Sequence, residues 1–310
     1  MRIAVVGTGG VGGYFGARLA AGGNPVTFVA RGQHLEAIQR NGLTIQSSRG
    51  DLHLDNVRAV DSIRKVEAVD LILIAVKLWD TEEVASALTP LAEGGAAILS
   101  LQNGVEKDDV LRRFLPTESV VGGVCYISAS IARPGVIGHH GAIQRIAFGE
   151  YSGRESARTQ MILEACRQAA IDADISLDIQ RLIWEKFVFL VGLSGTTASM
   201  RQTIGTIRQN PRTRAFLLDL MQEVVNVGRA EGLNLPENYA ADRLDFCDSL
   251  PASMTSSMHA DLERGNRLEL PWLSGAVVRL AKERQVSAPL NRAVSDILEP
   301  FVLGLSLIHI

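Results

Sequence analysis

Short apolar runs alternate with helical patterns along the first half of the chain. The run at residues 70–76, DLILIAV, shows no polar alternation, which predicts a parallel strand buried on both faces of a sheet. Other strands are predicted at 2–6, 25–30 and 96–101, and helices at 11–21, 35–40, 81–91 and 107–114. Between 120 and 149, glycine and proline break the pattern into several short predicted strands. This alternation is typical of a doubly wound α/β domain.

From about residue 155 the strand patterns fade and helical spacing takes over. Helices are predicted at 181–197, 211–231, 239–249 and 271–284. We therefore expect an all-helical second domain, with domains at 1–176 and 177–304. The last six residues, 305–310, carry no charge and match a translated transposon end used in sequencing libraries, so we expect a non-native tail there. An apolar helix end that packs on the core is the alternative.

Composition limits the kind of partner. The 310 residues are 46% hydrophobic and 21% charged, with a net charge of −3. This profile is typical of a globular protein, and it lacks the basic footprint of a protein that binds nucleic acid or anionic lipid. No apolar run approaches the roughly 20 residues of a membrane span. We expect a cytoplasmic protein that binds a small molecule, and a homodimer is one option for its assembly.

A glycine-rich motif follows the first predicted strand. Gly7, Gly9 and Gly12 fit G-x-G-x-x-G, in which the glycines allow a tight turn, approach of a pyrophosphate and close packing of the next helix. Arg31 ends the second strand, where NAD enzymes carry an acid, and a guanidinium there suits a 2′-phosphate. A solvated surface arginine is the alternative. The pattern predicts NADP(H) as the cofactor.

Four further polar residues are candidates for a functional site, and for three of them a purely structural role is the alternative. Lys77 and Asn103 follow the next two strands, at the sheet edge where ligands bind, although Asn103 could instead form an Asx turn with Gly104. Lys186 adjoins an uncharged helical run, so it either lies in a cleft or extends to solvent. Glu269 precedes a predicted helix, whose dipole favours an acid.

The sequence shows neither the spacing of metal ligands nor a hydrolase motif. His139 and His140 are neighbours in a predicted strand and therefore point to opposite faces, which is poor geometry for one metal ion. The three cysteines have neither metal-binding nor disulfide spacing, and no nucleophile elbow is present. A cofactor-dependent reaction fits these observations better.

Together these motifs resemble the ketopantoate reductase (2-dehydropantoate 2-reductase) family over nearly the whole chain. The matching positions are 7–13, Arg31, 76–77, 102–105, 134–140, Trp184, Lys186 and 256–271. The resemblance implies an N-terminal Rossmann domain and a helical C-terminal domain like that of 6-phosphogluconate dehydrogenase. It also implies NADPH-dependent reduction of a 2-keto acid, the family's step in pantothenate biosynthesis.

The resemblance further implies roles for single residues. Lys186 matches the catalytic lysine that donates a proton to the keto oxygen, Asn103 contacts cofactor and substrate, and Lys77 lines the cofactor cleft. Glu269 matches the acid that binds the substrate or steadies the lysine, and Ser257 matches a substrate-binding serine.

Three positions depart from the family pattern. Leu190 and Ser194 stand where the family commonly has asparagines that hold the substrate, and Asp80 stands where a glutamine is frequent. Ser194 stays a substrate-binding candidate, whereas Leu190 removes a polar contact and argues for a branched or more apolar 2-keto acid than ketopantoate. A catalytically slow NADP(H)-binding protein that senses redox state or pairs with another protein is the second hypothesis.

Overall fold

The structure, a computed structural model, describes residues 1–304. Its contacts divide the chain into two compact units. Among the described residues, unit 1 holds Met1–Asn103 and Lys107–Ile179, and unit 2 holds Gly104–Glu106 and residues 180–304. The sequence placed this division near residue 176. The tail expected at 305–310 lies outside the described residues.

Unit 1 is built on a ten-stranded sheet. Its strands are β1 (Ile3–Val6), β2 (Val26–Val29), β3 (Leu43–Ser47), β4 (Leu52–Leu54), β5 (Arg58–Val60), β6 (Leu71–Ile74), β7 (Ala97–Ser100), β8 (Val120–Arg133), β9 (Val136–Gly149) and β10 (Asp172–Ile175). Its helices are α1 (Gly10–Ala21), α2 (Gly32–Asn41), α3 (Thr81–Glu93), α4 (Lys107–Arg112) and α5 (Ala157–Gln168). Six strands pair in parallel in the order β5-β2-β1-β6-β7-β8. This is the doubly wound order of a Rossmann domain, as predicted.

The central strands are buried on both faces, as their apolar runs predict. In β1, Ile3 and Val5 belong to the apolar cluster that includes α1, whereas Ala4 and Val6 belong to the cluster that includes α3. Successive side chains of a strand point to opposite faces, so helices cover both sides of the sheet.

The second half of the sheet differs from the expectation. Residues 120–149 form one hairpin of two 14-residue strands, β8 and β9, and not several short strands. The glycines that suggested breaks lie inside the strands: a Cβ on Gly123 would collide with the Leu99 side chain, and one on Gly149 with the Ser176 carbonyl. Only Pro134 and Gly135, between the strands, mark a true turn. The strands β3, β4, β5 and β10 and the helix α5 were not predicted from the sequence.

Unit 2 is helical, as predicted, and residues 180–304 contain no strand. Its helices are α6 (Ile179–Met200), α7 (Ile204–Gln209), α8 (Pro211–Ala230), α9 (Tyr239–Ser249), α10 (Ser257–Glu263), α11 (Ser274–Glu283) and α12 (Pro289–Leu298). Asn210 caps α8 just before Pro211, and Gly232 follows its end with a φ of 91°. The helix predicted at 271–284 is a short 3₁₀ turn, Leu270–Trp272, followed by α11.

Within residues 1–304, no helix is long and apolar enough to cross a lipid bilayer. The cytoplasmic location and the homodimer stay predictions from the sequence.

Candidate functional site

The candidate cofactor residues of unit 1 follow the carboxyl ends of four neighbouring parallel strands. Gly7 follows β1, Arg31 follows β2, Lys77 follows β6 and Asn103 follows β7. The strand registers align Val6 with Val29 and Ile74, and Ile74 with Ser100. The four residues therefore share one edge of the sheet, where doubly wound proteins bind nucleotides.

The glycine-rich turn has the geometry that a dinucleotide requires. Gly7 has a φ of 95°, and a Cβ there would lie 2.7 Å from the backbone of Ala75 and Val76. A Cβ on Gly12 would overlap the Gly7 carbonyl oxygen, so α1 packs directly on the turn. Gly9 has open space on its Cβ side and precedes the first turn of α1, whose amide groups are available to an anion. The turn fits a pyrophosphate.

Arg31 lies at the start of α2 with 66% of its side chain exposed. Its Nη1 is 3.7 Å from Oδ2 of Asp80, which directly precedes α3. In the sequence, Asp80 stands out only as a departure from the family pattern. The structure places an acid beside the guanidinium that we expect to bind the 2′-phosphate.

Gln102 is a buried connection between the two loops that carry Lys77 and Asn103. Its Nε2 donates to the Val76 carbonyl at 3.1 Å and to the Thr81 hydroxyl at 2.8 Å. Its Oε1 accepts from the Ser100 hydroxyl at 2.9 Å. Only 6% of the residue is exposed, so these hydrogen bonds have no ready replacement by water.

His34, on α2, connects this edge to the β8–β9 hairpin. Its Nδ1 accepts a hydrogen bond from the Gly135 amide at 3.1 Å. Burial lowers the pKa of His34, and the backbone of Thr8 opposes that shift to a smaller extent. The imidazole is therefore neutral at neutral pH, so it adds no positive charge beside Arg31.

In unit 2, Lys186 lies on α6 and is half-buried. Trp184 and Phe187 on either side of it are buried, and their rings meet edge to face at 5.7 Å between centroids. Glu185 accepts a hydrogen bond from Arg181 at 2.8 Å. The backbone of Lys186 therefore belongs to a well-packed turn of α6, and its side chain is partly buried.

Leu190 and Ser194 follow Lys186 at helical spacing, on the same face of α6. Leu190 is half-buried, whereas Ser194 is fully buried and its hydroxyl has no hydrogen-bond partner in the structure. The hydroxyl of Ser274, at the start of α11, is also buried without a partner, and a Cβ on Gly195 would lie 3.6 Å from it. No sequence motif surrounds Ser274, so this buried hydroxyl was not predicted from the sequence.

Glu269 is 9% exposed and precedes the 3₁₀ turn at Leu270–Trp272, but its side chain makes no capping hydrogen bond there. Capping therefore does not account for this acid. Ser257 is exposed in the first turn of α10. Its neighbour Ser256 is buried, caps α10 and lies 2.8 Å from the Thr197 hydroxyl on α6.

Residues 1–304 contain no group of three or more His, Cys, Asp or Glu side chains that could hold a metal ion. His139 is buried and His140 exposed, as their alternation predicts. Both ring nitrogens of His139 are within hydrogen-bond distance of protein groups, at 2.8 Å from the Ser47 hydroxyl and 3.0 Å from the Ile143 carbonyl.

A Rossmann sheet with a glycine-rich turn, followed by a helical unit, is the architecture of a class of two-domain oxidoreductases. Comparison with known proteins identifies the family. The profile "Ketopantoate reductase PanE/ApbA" matches residues 3–153, and its C-terminal counterpart matches 178–301. The chain belongs to the ketopantoate reductase family.

Individual relatives cover almost the entire chain. The 2-dehydropantoate 2-reductase of Halobacterium salinarum is 30% identical over 299 residues, which are 96% of this chain and 98% of that protein. The crystal structure of the 2-dehydropantoate 2-reductase from Geobacter metallireducens, also 30% identical, matches with a TM-score of 0.90 over 97% of this chain and 99% of its own. A D-mandelate dehydrogenase in a ternary structure with NADH and anilino(oxo)acetate has a TM-score of 0.88 at 21% identity, over 97% and 98% of the two chains.

Proposed function

We propose that the protein reduces a 2-keto acid to the 2-hydroxy acid with NADPH. The observation that carries this proposal is the sheet edge at which the glycine-rich turn, Arg31, Lys77 and Asn103 follow neighbouring strands, in a chain of the ketopantoate reductase family. The relatives named above support the reaction type.

The cofactor would be held by the residues of this edge. The turn at Gly7, Gly9 and Gly12 binds the pyrophosphate, Arg31 binds the 2′-phosphate, and Lys77 and Asn103 contact the rest of the dinucleotide. Bound NADPH supplies the hydride that adds to C2 of the substrate. The fold itself does not dictate NADPH, because the structurally similar D-mandelate dehydrogenase has NADH bound.

Lys186 is the proposed general acid. Hydride addition converts the carbonyl carbon to C–H and places negative charge on the oxygen. The ammonium of Lys186 stabilises that charge and transfers one proton to the oxygen, which completes the hydroxyl group, and solvent then reprotonates the lysine. Glu269, buried and without a capping role, would bind the substrate or orient Lys186, and Asn103 and Ser257 would contact the substrate.

The substrate is proposed to be a branched or more apolar 2-keto acid than ketopantoate. Leu190 offers a hydrocarbon surface one turn after Lys186, and Ser194 offers only a short hydroxyl one turn further on. Ser194 is fully buried, so its unpartnered hydroxyl would hydrogen-bond a substrate oxygen only where the bound substrate reaches this depth of α6.

The reaction is tested by NADPH oxidation with a panel of 2-keto acids of increasing apolar size. We expect turnover of at least one branched or aromatic member. If no member is turned over while NADPH still binds, the slow NADP(H)-binding protein becomes the better description of this chain.

Cofactor choice tests the role of Arg31. We expect Arg31→Ala to weaken NADPH binding roughly ten- to hundredfold and to leave NADH binding nearly unchanged, since a charge-assisted contact to a phosphate contributes about 1.5–3 kcal/mol. Titration of each cofactor measures this effect. Arg40→Ala is the matched control, because Arg40 lies on the same helix and pairs with exposed Glu36. Equal affinity of the native protein for both cofactors would contradict the assignment.

Substrate choice tests the role of Leu190. We expect native turnover of ketopantoate to be below that of the best apolar 2-keto acid, and Leu190→Asn to shift the kcat/KM ratio toward ketopantoate. The shift should be roughly five- to hundredfold, because a restored polar contact contributes about 1–3 kcal/mol. If ketopantoate is already the best native substrate, the inference from Leu190 is wrong.

A further inference from the structure

The Arg31–Asp80 ion pair is a feature of unit 1 to which the proposed function assigns no role. The two side chains come from different segments, after β2 and after β6, and their charged atoms lie 3.7 Å apart. The backbone of Asp80 directly precedes α3. An acidic residue is therefore anchored beside the guanidinium that would bind the anion.

We propose that Asp80 is a specificity-determining residue, which weakens the preference for NADPH over NADH by opposing the 2′-phosphate at Arg31. This inference rests on the proposed function, because it takes Arg31 as the 2′-phosphate site. A phosphate at Arg31 brings up to two negative charges beside the carboxylate and competes with it for the guanidinium. NADH has no 2′-phosphate, so Asp80 opposes only NADPH.

A phosphate can compete with the Asp80 carboxylate for the Arg31 guanidinium, because the ion pair is exposed and long. Arg31 is 66% exposed and Asp80 is 27% exposed, and the separation of 3.7 Å is longer than that of a tight, charge-assisted hydrogen bond. An exposed pair of this kind contributes little to stability and breaks readily. Asp80 therefore leaves Arg31 able to bind phosphate while lowering the net attraction that it offers.

The neighbouring charges on α3 supply a matched control. Glu82 and Glu83 lie in the same first turn as Asp80. Glu82 accepts a hydrogen bond from Arg113 at 3.0 Å and so directs its charge to a different cation. Glu82→Gln removes one negative charge from the same helix end without altering the Arg31 pair.

The experiment compares dissociation constants of NADP⁺ and NAD⁺, without substrate, for the full chain and for Asp80→Asn and Glu82→Gln. Asparagine is as good at a helix N-terminus as aspartate, and Asp80 makes no capping hydrogen bond, so Asp80→Asn should fold normally. We expect Asp80→Asn to tighten NADP⁺ binding about three- to tenfold and to change NAD⁺ binding by less than about twofold. Glu82→Gln should leave the ratio of the two constants unchanged.

Other outcomes distinguish a failure of the inference about Asp80 from a failure of the proposed function. If the native protein binds NADP⁺ but Asp80→Asn leaves the ratio unchanged, or shifts it no more than Glu82→Gln does, the inference about Asp80 is wrong and the proposed function stands. Weaker NADP⁺ binding by Asp80→Asn would also overturn it, since Asp80 would then hold Arg31 in its binding position. A native protein that binds neither nucleotide would overturn the proposed function together with the inference.

Discussion

Lys186→Ala should fold, bind NADP⁺ with near-native affinity and lose about 10²–10⁴-fold in turnover, the usual contribution of a positioned acid. The lysine starts from a turn of α6 in which Trp184 and Phe187 are buried, so the substitution removes only a half-buried side chain. Steady-state kinetics on the best 2-keto acid, together with cofactor titration, measure the effect.

The controls separate proton donation from simple loss of charge or packing. Lys186→Arg keeps a cation but is a poor proton donor, since its pKa exceeds about 12, so its deficit should lie between those of the native protein and Lys186→Ala. Arg181→Ala removes a cation that pairs with Glu185 on the same helix, and it should keep near-native turnover. Near-native turnover of Lys186→Ala would instead identify a lysine that extends to solvent.

Gln102→Met should cause the second large effect, a loss of both stability and cofactor affinity. Methionine has a similar shape but leaves the Val76 carbonyl and the Ser100 hydroxyl without the Gln102 side chain as a partner. It also removes one of the two hydrogen bonds of the Thr81 hydroxyl, which still donates to the Leu78 carbonyl. A buried polar group without a partner costs about 1–3 kcal/mol. Because the loops that carry Lys77 and Asn103 are then no longer joined, we expect NADP⁺ affinity to fall about tenfold or more, as measured by titration alongside thermal unfolding.

Gln144→Met is the matched control for this prediction. Gln144 is also a buried glutamine of unit 1, and its Nε2 donates to the Ala170 carbonyl at 3.0 Å, so its hydrogen bond does not involve the loops that carry Lys77 and Asn103. It should lower the melting temperature and leave NADP⁺ affinity unchanged. If Gln102→Met also keeps its NADP⁺ affinity, Gln102 has a purely structural role.

The pattern of apolar and polar residues was sufficient to predict the elements that depend mainly on interactions between residues close in sequence. The unbroken apolar run at 70–76 predicted a strand buried on both faces, which the structure confirms as β6 between two parallel neighbours. The spacing of helices in the second half predicted the helical unit, with Pro211 and Gly232 at the ends of α8. The carboxyl ends of the predicted strands also indicated the edge shared by the candidate cofactor residues.

Features that depend on contacts distant in sequence were decided only by the tertiary structure. The short strands β3, β4 and β5 lack a strong apolar pattern, and they exist because neighbouring strands supply hydrogen-bond partners. Gly123 and Gly149 of the β8–β9 hairpin looked like breaks, although packing against Leu99 and Ser176 requires glycine at these two positions within the strands.

The same distinction applies to the candidate site. The sequence by itself determined which residue types lie near the sheet edge and on the lysine-bearing helix, because strand ends and helical spacing are local properties. It could not determine that Asp80 meets Arg31, that Gln102 joins two loops, or that Glu269 is buried without capping a helix. Each of these depends on segments far apart in the chain, whose meeting is fixed only when the sheet and its helices pack together.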